Sequence, residues 1–214
     1  MFVNSIAQQN YNRFMNLDSI TDRIINYLIK SDSIYANRIW KLLKYPEVDA
    51  LLQQDLTQEE KAELVDNDST EQSTKRVFRY PFIEDSFVVK ASIMRIYIDT
   101  ILPQNHLNSV VNVGFDLLNH NKLSNVYNDS NDILEEGREV EEDIIVKNRN
   151  NILLKSILGI LNGANVEGVG MLQFNQSLTK ESQMKNYSNN KTNFYGYSLV
   201  MSCIMSGMGE AMYG

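Results

Sequence analysis

Two histidines, one cysteine and scattered carboxylates are what this chain offers for chemistry. His106, His120 and Cys203 are its whole complement of imidazole and thiol, and no Gly-x-Ser-x-Gly turn presents a serine nucleophile. Cys203 lies in an apolar alternation, where a thiol reads as a small buried hydrophobe. Asp116 and His120 are four residues apart, which on a helix would set two metal ligands on one face. The local pattern is a strand, however, and no further His or Cys completes a set. His120, between Asn119 and Asn121, reads instead as a turn cap or a solvated side chain. Asn128, Ser130, Asp132 and Glu139 trace part of a calcium loop, with Ile133 where the sharp-turn glycine belongs. Gly163 and Gly168 have phosphate-loop spacing, but Val169-Gly170 replace the Lys-Ser/Thr pair, and a helix precedes the loop where a strand should. These glycines read as turn residues. No catalytic residue, cofactor or metal is expected, and the protein is read as a non-enzyme.

The aromatic stretch Asn193–Met205, "NFYGYSLVMSCIM", allows two readings. Tyr195 and Tyr197 could stack bases or a ligand. They share a strand face with Leu199, Met201 and Cys203, which favours a sheet packed on a helix with the hydroxyls at its rim.

The elements that must position these residues follow from periodicity. Ser19 with Asp22 opens a helix carrying Ile20, Ile24 and Leu28 every fourth residue. A second is predicted from Asp32 to Lys44, burying Ile39, Leu42 and Leu43 and stopping before Pro46. Thr57 and Glu60 form a capping box for a third. The polar run 66–76 reads as a loop. From Met94 the period becomes two: Met94, Ile96 and Ile98 on one face, Arg95, Tyr97 and Asp99 on the other. A turn with Pro103, Asn105 and Asn108 leads to a partner strand aligning Val111, Val113, Phe115 and Leu117. After a loop Asn119–Asp132, a helix is predicted with an acidic front (Glu135 to Asp143), then Lys147, Arg149 and Lys155. Its buried stripe is Leu153, Ile157 and Leu161, and Asn162-Gly163 ends it. A strand "GVGMLQF", a loop Asn175–Asn193 and the aromatic strand complete the chain. The boundaries are 1–66 for a helical region, 67–92 for a linker and entry to the sheet, and 93–214 for an α+β unit of hairpin, helix and hairpin. Helices and sheet are expected to form one compact unit.

Bulk properties agree. The 214 residues are 43% hydrophobic, enough for a proper core. A net charge of −7 argues against wrapping duplex DNA, which requires clustered cations. One cysteine permits no internal disulfide and suits a reducing compartment. No signal pattern and no apolar run of membrane-spanning length is present.

The segments "RIYID", "VVNVGFDLLNHN", "RNNILLKSILGILNGANVEGVGMLQF" and "NFYGYSLVM" resemble the virion neck proteins of tailed bacteriophages, in the tail-terminator and tail-completion group. The resemblance covers the second half of the chain. It implies an α+β subunit of tail-terminator type in a homo-oligomeric ring, sixfold or twelvefold, between head connector and tail. Portal or adaptor and tail-tube proteins would be its partners and DNA only passing cargo, with no membrane involved. The protein would reside in the virion, and in the host cytoplasm during assembly. The candidate subunit-interface residues are Phe194, Tyr195, Arg95, Tyr97 and Asp99. The alternatives are a head–tail adaptor contacting the portal through the longer helical region, or a small phage protein that binds a host factor.

Overall fold

A computed structural model describes residue 17 and residues 19–67, 74–80, 90–104, 108–127, 146–181 and 194–206. Helix α1 (Ser19–Lys30) buries Ile20, Ile24, Ile25 and Leu28. Helix α2 (Ile34–Lys44) begins two residues later than predicted, because the Ser33 hydroxyl accepts from the Ala36 amide. Trp40 of α2 is fully buried and donates its indole N–H to the Leu28 carbonyl at 3.0 Å. Helix α3 (Gln58–Glu63) carries the predicted Thr57–Glu60 capping box.

Two buried cations tie these helices into the fold. Lys61 of α3, 1% exposed, donates to the Ile29 and Ser31 carbonyls at 3.4 and 3.2 Å, at the negative end of α1. Arg149 does the same for α2. Its guanidinium, fully buried, donates to the carbonyls of Leu42, Tyr45 and Glu47 at 2.9, 2.9 and 2.7 Å and to the Ser92 hydroxyl at 3.1 Å. Orphan carbonyls at a helix end need such donors when water is excluded.

Five strands form the main sheet in the order β1 (Val77–Phe78), β2 (Ser92–Pro103), β3 (Asn108–His120), β9 (Phe194–Ser206) and β8 (Gln173–Phe174). Within this sheet β1 and β2 pair in parallel and the other neighbouring strands antiparallel. The 67–92 stretch thus supplies an edge strand as well as a connection. The predicted β2–β3 hairpin is present, with a bulge between Ile98 and Thr100. The extra residue changes the parity of the strand, so Met94, Ile96 and Ile98 face the core before it and Ile101 after it. Across the sheet they align with Val111, Val113, Phe115 and Leu117, then with Leu199, Met201 and Cys203. Helix α4 (Arg149–Leu161) covers this inner face with Leu153, Ile157 and Leu161, in one core with α1 and α2.

Several expectations are corrected. Helix α4 begins at Arg149, with the Asn148 side chain accepting from the Asn150 and Asn151 amides. Lys147 belongs to β5 (Val146–Asn148), and Arg149, expected among the cations that follow the acidic front, is the first residue of the helix and a buried clamp. The acidic residues 135–143 lie outside the described residues, as do the calcium-like Asn128, Ser130, Asp132 and Glu139, and His106. Within the expected loop Asn119–Asp132, β4 (Asn125–Tyr127) pairs with β5. "GVGMLQF" is two short strands, β7 (Gly170–Met171) and β8, divided by a fully buried Leu172. Strand β7 pairs with β6 (Asn165–Val166). The expected loop after Asn175 starts with helix α5 (Gln176–Glu181), whose first turn is held by the Asn175 side chain accepting from Leu178. The aromatic strand is β9, but it pairs along its full length with β3 and over only two residues with β8.

Candidate functional site

The inner face of the sheet is closed by helices, so the outer face is where side chains of all three long strands can meet a ligand or partner. Strand register arranges it as five rows. At one end Phe78, Ile93, Leu118 and Phe194 form a small apolar cluster, with the His120 ring edge-on to Phe194 at 5.5 Å. Next, Arg95 pairs with Asp116 at 2.6 Å, and the Ser198 and Tyr97 hydroxyls donate to the same carboxylate. Arg95 and Asp116 are 3% and 1% exposed.

The third row is Tyr97, Gly114 and Val200. The Tyr97 ring lies directly over Gly114, where a Cβ would come within 2.7 Å of its Cζ. The fourth is an amide–hydroxyl chain: Asn175 donates to Ser202 at 2.9 Å, Ser202 to Asn112 at 2.6 Å, and Asn112 to Thr100 at 2.7 Å. The fifth row is Leu102, Val110 and Ile204, aligned by register, with Val110 half-buried between two residues open to water. Leu102 is 48% and Ile204 66% exposed, and Met171 of β7, the strand beside β9, is also exposed.

Most of the polar groups on this face are engaged with one another. The Asp116 carboxylate is committed to Arg95, Ser198 and Tyr97. His120 accepts the Lys122 amide at its Nδ1, heading a 3-10 turn as expected of a cap, and burial with the nearby Lys122 and Lys90 lowers its pKa. On the inner face Cys203 is 2% exposed, and burial pushes its thiol up to about 11. Among the described residues no group of three or more His, Cys, Asp or Glu is placed to hold a metal ion. No helix among them is long and apolar enough to cross a membrane.

The candidate interface residues separate by environment. Phe194 is spent in the apolar cluster and Arg95 in its ion pair. Tyr97 and Tyr195 are half-buried, and burial raises the Tyr195 pKa. Asp99, the extra residue of the bulge, is exposed. Tyr197, from the stacking reading, donates its hydroxyl to Asn151 of α4 at 3.0 Å, at the rim of the packed face. The residues that sequence reasoning missed are Leu102, Val110 and Ile204. Uninterrupted alternation puts Leu102 on the Met94 side, and only the bulge moves it outward beside Val110.

No curated relative and no solved structure matches this chain. Residues 36–203, from α2 through most of β9, match the YomW family, and the chain is a member of this phage-derived family.

Proposed function

We propose that this phage-associated protein is a non-enzymatic structural subunit of the virion neck or tail. In this reading copies assemble into a closed ring, sixfold or twelvefold, that joins the head connector to the tail as a terminator or completion protein. Portal or adaptor and tail-tube proteins are its neighbours, and DNA is passing cargo.

The observation that carries the reading is the row Leu102–Val110–Ile204. Leu102 and Ile204 stand in water with half-buried Val110 between them, an apolar strip on a face most of whose polar groups are engaged with one another. Such a strip, bordered by uncharged Thr100, Asn112 and Ser202, has the make-up of an interface core, where charged groups are depleted. Charge distribution adds support. Residues 128–145 hold eight carboxylates and one arginine, a net −7 that equals the charge of the whole chain. The remainder is neutral overall, so like-charge repulsion between copies is confined to this one segment.

The test is native mass spectrometry with negative-stain microscopy of the full chain, alone and mixed with head-connector and tail-tube proteins. Rings of fixed stoichiometry with a central opening are expected. Ile204→Glu should abolish them while leaving the melting temperature unchanged. Compact monomers even with the virion proteins present would overturn the reading. A host protein as the only stoichiometric partner recovered from infected cells would replace it with host-factor binding.

A further inference from the structure

We draw no further inference here: the strongest candidate, the apolar row of Leu102, Val110 and Ile204 at the open end of the outer sheet face, belongs to the site already described, and nothing else in the structure shows what covers it.

Discussion

Replacing Arg149 with methionine keeps the length and apolar stem of the side chain but removes four donated hydrogen bonds. Three of the acceptors are main-chain carbonyls around the end of α2, so no apolar substitute can remove them together with their donor. A hydrogen bond from a charged group contributes about 1.5–3 kcal/mol; because three acceptors share the two hydrogens of Nη1, the four contacts count as about three full bonds, roughly 6–8 kcal/mol. Against this stands the cost of burying the cation. Burial lowers the Arg149 pKa from 12.5 to about 10, a penalty of about 3 kcal/mol. The side chain is therefore still charged at neutral pH. The net loss for Arg149→Met is about 3–5 kcal/mol. For a chain of this length that corresponds to a fall in melting temperature of roughly 6–20 °C. Arg149→Lys retains a charge but not the fork that reaches three carbonyls, and should lose about half as much. Calorimetry and urea titration of the three proteins measure this directly. Arg149→Met melting within about 2 °C of the parent would refute the clamp, as would a lysine variant no more stable than the methionine one.

Leu199→Asp places a charge at a fully buried position and should cost about 4 kcal/mol; an unchanged melting temperature would mean that the inner face is open to a ligand after all. Gly114→Ala should cost about 1–3 kcal/mol through its clash with Tyr97. Most of that loss should vanish when Tyr97→Leu is already present, and strictly additive effects in this double-mutant cycle would count against the close approach. Cys203 should resist thiol reagents until the chain unfolds, and its titration should weaken the fold in alkali. Its thiol keeps its proton in the folded state up to about 11, against an ordinary 9.0. Stability from this source is thus complete below pH 9, falls between pH 9 and 11, and the total loss is about 2–3 kcal/mol. The difference in stability between parent and Cys203→Ala should trace that fall, and a flat difference across the interval would contradict it.

Local patterns were readable wherever one physical rule acted alone. Ile20, Ile24 and Leu28, the Thr57–Glu60 box, and the alternation of Val111 to Leu117 each report a face or a cap through residues a few positions apart. The α+β class and the inner face of β9 follow from such patterns. The candidate site was far less legible. Tyr97, Arg95 and Phe194 look available in a strand read by itself. They are occupied because Gly114, Asp116 and Phe78, distant in sequence, arrive beside them.

The sequence by itself determined helices α1 to α3, the buried stripe of α4, the long strands β2, β3 and β9 with their inner faces as far as the bulge, and that one thiol lies among hydrophobes. These properties depend on spacing along the chain. Tertiary structure alone decided three others: that β9 takes β3 as its main partner, that Arg149 closes the end of α2, and that Leu102, Val110 and Ile204 form a single row on the outer face. Each depends on strand register or on a contact between distant segments. One inserted residue at Asp99 reverses which side chains face water beyond it, a change that residue periodicity does not encode.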